Sequence, residues 1–324
     1  MTLAVGVIGL GVMGAEHLRL LREETAGVRV TAICDADSER TGQFAQGALV
    51  FADPMALIAS DKVEAVVIAS PDATHAELAL ACLSAGKHAL CEKPLATSAA
   101  DALRVVDAEV ALGRRLLQIG YMRRFDPAYV EMKRTADAGG IGSPVLLHNI
   151  HRNAAAPEWF TGPMAVTNSF VHEIDISRWL LSSDLVSAIV HEAPGGDPLL
   201  ITMETDKGEI VSTEVFMNAH YGYHVHAQLV GRTGTVQMAQ PSVTVTNSGL
   251  HHGHEWPENW VPRFRDAYRV QMTAWVRSVA TDSPAGASAW DGYVATAVAE
   301  QVVTALQTGA KAKLFLGARP ALYA

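Results

Sequence analysis

Lys93 stands in Cys91-Glu92-Lys93-Pro94, directly after a short apolar run that reads as a strand. A lysine at the carboxyl end of a parallel strand lies where open α/β sheets bind ligands. Farther along, Val171-His172-Glu173-Ile174-Asp175 opens a helical pattern. His172 and Asp175 are three apart there and share a face. An imidazole, with an unperturbed pKa of ~6.5, is the general base suited to neutral pH. An ammonium stabilises an oxygen that gains negative charge. The plainer alternatives are a surface lysine and a helix-terminus pair.

A second constellation opens the chain. Gly9-Leu10-Gly11-Val12-Met13-Gly14 fits G-x-G-x-x-G. It follows an apolar, β-branched run and opens a helix, the context that gives the pattern meaning. Gly9 permits the tight turn, Gly11 lets the backbone approach a pyrophosphate, and Gly14 lets the helix pack close to the strand. The helix N-terminus turns free N–H groups toward the phosphates. Asp35, at the end of the second strand, supplies the carboxylate expected ~20 residues on for a ribose. It favours NAD and repels the extra phosphate of NADP, with Asp37 adding to that, although Arg40 could meet a phosphate.

The elements that must hold these residues alternate. Strands are expected at Leu3 to Ile8, Val28 to Cys34, Val63 to Ala69, His88 to Cys91 and Leu116 to Gly120. Helices are expected at Gly14 to Glu23, Ser38 to Gln46 with Ser38 as N-cap, Thr74 to Ala85 and Ser98 to Leu112. Such alternation implies βαβ units and a parallel sheet covered on both faces. After Arg123 the pattern changes to a helix at Pro127 to Ala138 and segments alternating like antiparallel strands: Pro144 to His151, Val186 to His191, Leu199 to Thr205, Ile210 to Met217, His224 to Val230 and Thr235 to Gln237. A helix at His172 to Leu181 interrupts them, and helices near Arg263 to Ala280 and Trp290 to Gln307 close the chain. The fold class expected is α/β. A Rossmann domain, doubly wound on a parallel sheet, spans residues 1–122. An α+β domain with an open, mainly antiparallel sheet spans residues 123–324, its closing helices able to pack back on the first domain.

Composition narrows the partners. Apolar residues make up 49% and charged residues 18% of the 324, which argues for packed cores over disorder. The formal net charge is -9 and no basic run stands out, so nucleic acid is not an expected partner. No apolar run approaches the ~20 residues of a membrane span, and the N-terminus lacks signal-peptide features. Cys34, Cys82 and Cys91 fit no metal spacing and read as reduced cytoplasmic thiols. His251-His252-Gly253-His254 reads as a polar loop and His224 and His226 as same-face strand residues, so no metal is expected.

Taken together, the chain resembles the Gfo/Idh/MocA oxidoreductases over essentially its whole length, and most of all their inositol dehydrogenase branch. The resemblance is carried by the glycine turn, Glu92-Lys93-Pro94, Gly120-Tyr121-Met122-Arg123-Arg124-Phe125-Asp126, His151-Arg152-Asn153, His172-Glu173-Ile174-Asp175, Tyr221-Gly222-Tyr223 and Ala289-Trp290-Asp291-Gly292-Tyr293. It implies an NAD-dependent dehydrogenase that oxidises a secondary hydroxyl of a cyclic polyol, foremost myo-inositol to its 2-keto product. Lys93 would polarise the reacting hydroxyl and His172 would take its proton. Asn153, Asn168, Asp175, His151, Tyr223 and Met122 would hold the substrate. Gly9, Gly11, Val12, Met13, Gly14, Asp35, Ser70, Pro71, His75, Glu92, Lys93, Arg123 and Trp290 would line the cofactor path. The family further implies a homotetramer joined through open sheet faces.

Physical chemistry agrees with such roles. Hydride loss from a secondary alcohol requires the hydroxyl proton to leave in step, and a nearby ammonium keeps an imidazole neutral and able to accept it. One departure stands out. The resembled enzymes carry Asp where this chain has Asn168, and Asn cannot take a proton at neutral pH. Asn168 reads either as a substrate ligand or as a helix N-cap. Asn153 could be a turn residue and Tyr223 sheet packing. A related sugar or aminocyclitol dehydrogenase stays open, as does a non-catalytic NAD-binding regulator.

Overall fold

The computed structural model describes residues 2–160, 162–239 and 244–324. The chain forms two compact units. The first comprises the chain up to Phe125 together with Asp266–Ala297 and Gly317–Ala324; the second comprises Asp126–Arg265 and Val298–Leu316.

The first unit is built on β1 (Leu3–Ile8), β2 (Val28–Cys34), β3 (Leu49–Phe51), β4 (Ala65–Ile68), β5 (His88–Cys91) and β6 (Leu117–Ile119). They run parallel in the order β3-β2-β1-β4-β5-β6. Strands covered on both faces must be apolar throughout. Ala65, Val66, Val67 and Ile68 are accordingly all 0% exposed. Between them run α1 (Val12–Glu23), α2 (Ser38–Phe44), α3 (Pro54–Ala59), α4 (His75–Ser84) and α5 (Ala99–Leu112). The strand order reverses between β1 and β4, which opens a crevice at their carboxyl ends.

Capping chemistry sets the helix starts. Asp37, not Ser38, caps α2: its side chain accepts from Glu39 N at 2.9 Å and Arg40 N at 3.3 Å. A carboxylate one residue earlier reaches the orphan N–H groups, which displaces the expected serine cap. Ser98 caps α5 by accepting from Asp101 N. Short β3 and α3 carry too few residues for their periods to be read from the sequence. The C-terminus is tied down by Glu109, wholly buried on α5. It accepts from Leu116 N at 2.6 Å, Leu117 N at 2.7 Å and the Tyr323 hydroxyl at 2.6 Å.

The second unit begins with α6 (Pro127–Asp137), capped by Asp126, and β7 (Pro144–Arg152). Helical turns α7 (Gly162–Met164) and a π-helical segment, Ala165–Phe170, lead into α8 (Val171–Leu181). Strands β8 (Leu185–Glu192), β9 (Leu199–Thr205), β10 (Ile210–Phe216), β11 (His224–Gly231) and β12 (Thr235–Gln237) follow. A separate hairpin joins β13 (Thr246–Ser248) to β14 (His251–Gly253). The histidine segment expected as loop is therefore largely a strand, exposed at His251 and His252. Two long helices, α9 (Trp260–Thr281), which belongs to the first unit from Asp266 on, and α10 (Ala289–Thr308), which belongs to it up to Ala297, and the short β15 (Ala312–Lys313) complete the order.

The large sheet of this unit runs β12-β11-β7-β10-β9-β8-β15. Its pairs are antiparallel except β7 with β10, which are parallel. The long excursion through α8, β8 and β9 supplies the crossover that parallel pairing needs. Alternation along β7 and β11 is clean. Leu147, Asn149 and His151 face inward with Val225, Ala227 and Leu229, while their neighbours face out.

The closest constraint lies at the start of α1. A Cβ on Gly14 would sit 1.9 Å from the Gly9 carbonyl oxygen. In an ordinary helix, Gly to Ala gains about 1 kcal/mol. Here the clash is with backbone and cannot be relieved by a rotamer. Gly14→Ala should therefore lower the melting temperature and weaken NAD binding at least about tenfold, against its helix propensity. Differential scanning fluorimetry and NAD titration check both; an unchanged melt would show that α1 can shift.

Candidate active site

The first group of site residues lines the carboxyl ends of β1, β2, β4 and β5. Gly9 has φ +87 and donates its N–H to Cys34 O at 2.8 Å. Its Cβ would lie 2.5 Å from backbone atoms of Ala69 and Ser70, so only glycine lets the two strand ends meet. Gly11 has nothing within 4 Å of a Cβ position. That open space faces the start of α1, where no side chain caps the helix and no acidic residue stands in the first turn. Val12 is exposed and Met13 half-buried at this first turn. An uncapped N-terminus over open space is a seat for an anionic group.

Asp35 does more than wait for a ribose. Its Oδ2 accepts from Leu10 N at 2.6 Å and its Oδ1 from Asp37 N at 2.8 Å. It thus ties the glycine turn to the end of β2. A carboxylate has about four acceptor sites, so capacity for hydroxyls remains. Arg40 lies 3.9 Å from Asp35 and 3.4 Å from Asp37, so the cation is already balanced by carboxylates. These features fit a dinucleotide with two free ribose hydroxyls.

After β4, the Ser70 hydroxyl bonds Thr74 Oγ1 at 2.6 Å, and Thr74 N donates to the Pro71 carbonyl at 2.8 Å. Pro71 itself is exposed. His75, expected on the cofactor path, is 1% exposed. Its Nε2 lies 2.8 Å from Ser70 O and its Nδ1 2.7 Å from Pro94 O. The ring is a strut between two loops.

The turn after β5 carries Glu92 and Lys93. Glu92 is 6% exposed and faces His17 of α1, Nε2 to Oε1 at 2.7 Å. Burial pushes this carboxyl toward its neutral form, yet the hydrogen bond and charge of His17, with Lys93 beside it, hold it below the usual carboxylate value. Its Oε2 accepts from Lys93 N at 3.2 Å, and Lys93 itself is half-buried. Met122 and Arg123, just past β6, are 2% and 1% exposed. Trp290 is buried at the start of α10, its Nε1 without a hydrogen-bond partner among the described residues. Such an orphaned donor suits a polar ligand group.

The second group belongs to the other unit. His151 on β7 meets Glu173 of α8, with Nδ1 3.0 Å from Oε1 and 3.1 Å from Oε2. Glu173 is 0% exposed. The His172 ring lies 6.4 Å from that of His151, and Tyr223 lies edge-on to His151 at 5.9 Å. His172 is 8% exposed, Asp175 1% and Tyr223 3%. Asn153 is half-buried just past β7, its amide 3.3 Å from Met217 Sδ. Asn168 is half-buried within the π-helical segment and accepts from Thr167 Oγ1 at 3.1 Å. Helical turns precede it, so the N-cap reading of Asn168 does not hold. Widened π turns re-aim side chains and occur often at functional sites.

Sequence reading missed two residues, His17 and Glu173. The spacing of His17, three after Gly14, carried no signal of its own. Glu173 lay inside a quoted motif, but only the tertiary pairing of β7 with α8 gives it a partner. Asp35→Ser should weaken NAD binding about tenfold or more and raise the NADP/NAD activity ratio, because a ribose acceptor and a repelling charge go together. Steady-state kinetics with both cofactors check this, and an unaltered ratio would remove Asp35 from the choice.

The Gfo/Idh/MocA models described as "Oxidoreductase family, NAD-binding Rossmann fold" and "Oxidoreductase family, C-terminal alpha/beta domain" match residues 3–121 and 136–314. Inositol 2-dehydrogenase 1 of Saccharopolyspora erythraea is 52% identical, over 100% of this chain and 99% of its own. An inositol 2-dehydrogenase/D-chiro-inositol 3-dehydrogenase of Shouchella clausii is 39% identical, over 100% and 97%. Among solved structures, myo-inositol dehydrogenase from Lactobacillus casei, in complex with NAD(H) and myo-inositol, is 30% identical with a TM-score of 0.96, covering 100% of both chains. An α/β chain with a Rossmann-type sheet, a glycine turn and a second, mainly antiparallel sheet, matched over its full length, belongs to the Gfo/Idh/MocA oxidoreductase family.

Proposed function

We propose that this chain is an NAD-dependent dehydrogenase that oxidises a secondary hydroxyl of an inositol, myo-inositol at C2 foremost, to the ketone. The observation that carries this reading is the full-length likeness to a myo-inositol dehydrogenase solved with NAD(H) and myo-inositol. The 52% identity to an inositol 2-dehydrogenase supports it. The uncapped helix start, the open space at Gly11 and the Asp35 carboxylate fit the cofactor. When bound, NAD accepts the hydride.

The protein's own groups handle the proton and the charge. Lys93 polarises the reacting hydroxyl and stabilises its alkoxide character. His172 accepts the proton as hydride departs. His151, Asn153, Asn168, Asp175 and Tyr223 hold the remaining hydroxyls. Buried carboxylate and imidazole groups suit an uncharged polyol, because each hydroxyl both donates and accepts. Glu173 fixes the tautomer and direction of the His151 ring.

The protein acts in the cytoplasm as a homotetramer joined through open sheet faces. Supporting the first, its three cysteines are free thiols. Supporting the second, Leu200 and Ile210 are exposed on neighbouring strands of the large sheet. Light scattering decides the assembly. No helix among the described residues is long and apolar enough to cross a membrane.

NAD reduction across a panel of myo-, scyllo- and D-chiro-inositol and hexoses tests the activity, with the highest kcat/KM expected for myo-inositol. Lys93→Ala should lower kcat about 10²-fold or more while NAD affinity changes little. No turnover on any polyol, with NAD still bound, would instead mark a regulatory protein. Asn168→Asp should shift kcat or the order of preference among inositols; no change in either would take this position away from substrate.

A further inference from the structure

The turn carrying Lys93 is gripped at both ends. Beyond it, His75 Nδ1 lies 2.7 Å from the Pro94 carbonyl. Before it, the Glu92 carboxylate is divided between two partners, with Oε1 on His17 Nε2 at 2.7 Å and Oε2 on Lys93 N at 3.2 Å. We propose that His17 is a positioning residue that sets Lys93 through the Glu92 carboxylate, and so joins the lysine turn to the helix that opens at the glycine turn.

Three observations carry this. His17 is 1% exposed, and its Nδ1 is buried without a hydrogen-bond partner among the described residues. The bond from Nε2 to Glu92 is therefore the ring's hydrogen bond to its surroundings among the described residues, and the carboxylate accepts it. Second, the seat of the carboxylate is narrow. The carboxylate lies over Gly120, where an added Cβ would be 2.8 Å from Oε2, so its seat exists only because residue 120 has no side chain. Third, His17 lies about one helical turn after Gly14, on the helix whose N-terminus has no side-chain cap and would receive the cofactor phosphates. The position of α1 is thus tied to Glu92 through one short bond.

The groups around Glu92 are His17 from α1, Lys93 and the Cys91 thiol from its own segment, and Tyr268 of α9, edge-on to the His17 ring at 6.0 Å. Without the His17 donor, burial acts on the carboxylate with less opposition, and Glu92 protonates at higher pH.

This proposal rests on the catalytic role of Lys93, so the experiment separates the two. Wild type, His17→Leu, His17→Gln, Lys93→Ala and the double variant His17→Leu/Lys93→Ala are compared by kcat, NAD Kd, pH profile and melting temperature. In His17→Leu, kcat should fall about 10²-fold, as expected for a reacting group displaced by roughly 1 Å, while NAD Kd stays within about threefold. His17→Gln, whose amide can donate where Nε2 did, should recover most of kcat. The acid limb of kcat should move up in the leucine variant and not in the glutamine variant. In the Lys93→Ala background, single-turnover rates should respond to His17→Leu by less than about twofold. If His17→Leu does not fold, His17→Asn, whose amide falls short of Glu92, replaces it with the same expectations. Full kcat in His17→Leu, or equal losses in the leucine and glutamine variants, overturns the positioning role. Full turnover in Lys93→Ala overturns the role of Lys93 itself, whatever His17 does.

Discussion

The Gly9 carbonyl and the Gly14 Cα meet with no room for a side-chain carbon. This contact brings α1 down onto the end of β1, and much of the first unit follows from it. Once α1 is seated, its N-terminus points over the reversal of strand order between β1 and β4. Its next turn places His17 against Glu92. The same turn presents Leu10 N to Asp35, which locks the end of β2. Backbone packing thus sets both the phosphate seat and one wall of the lysine turn.

Buried carboxylates recur as the device that holds loops still. Glu92, Glu109 and Glu173 are each at least nine-tenths buried, and each is matched to a donor: His17, Tyr323 with two backbone N–H groups, and His151. Taking a carboxylate out of water is costly, and a pair of this kind is weak evidence for stability. Its consequence is geometric. A carboxylate that moves loses its partner and leaves a buried charge, so the position is steeply defined. For Glu109, burial still wins and raises its pKa despite three donors, whereas for Glu92 the imidazole and the lysine win. Arg115 also favours the Glu109 anion, but there burial outweighs it together with the phenol and amide donors, whereas at Glu92 His17 and Lys93 outweigh burial.

The second unit treats its two sheet faces differently. Inward residues of β7 serve α8: Asn149 donates to Ser177 at 3.2 Å, and His151 takes Glu173. Outward, Arg152 is paired with Glu214 at 2.6 Å and with the Tyr221 hydroxyl at 2.9 Å. Adjacent residues of one quoted motif, His151-Arg152, therefore have unrelated work, because a strand turns successive side chains to opposite faces. His224, on the Arg152 side, is pushed down to about 4 by burial, with Arg152 and His226 adding to it.

The sequence by itself determined the period of nearly every long element, the glycine turn, the lysine turn and the helix bearing His172. Those signals are local: apolar spacing, caps and glycines at fixed offsets report on the few residues around them. It also showed Asn168 as a departure, though not that the residue lies inside a π-helical segment. Only the tertiary structure decided the parallel pairing of β7 with β10, the inward partners of His151, the use of Asp35 to hold Leu10, and the burial of His75 between two carbonyls. His17 and Glu92 are far apart in the chain, and nothing in either neighbourhood names the other. Their meeting depends on how closely a helix can approach a strand, which is a property of packed surfaces and not of spacing along the chain.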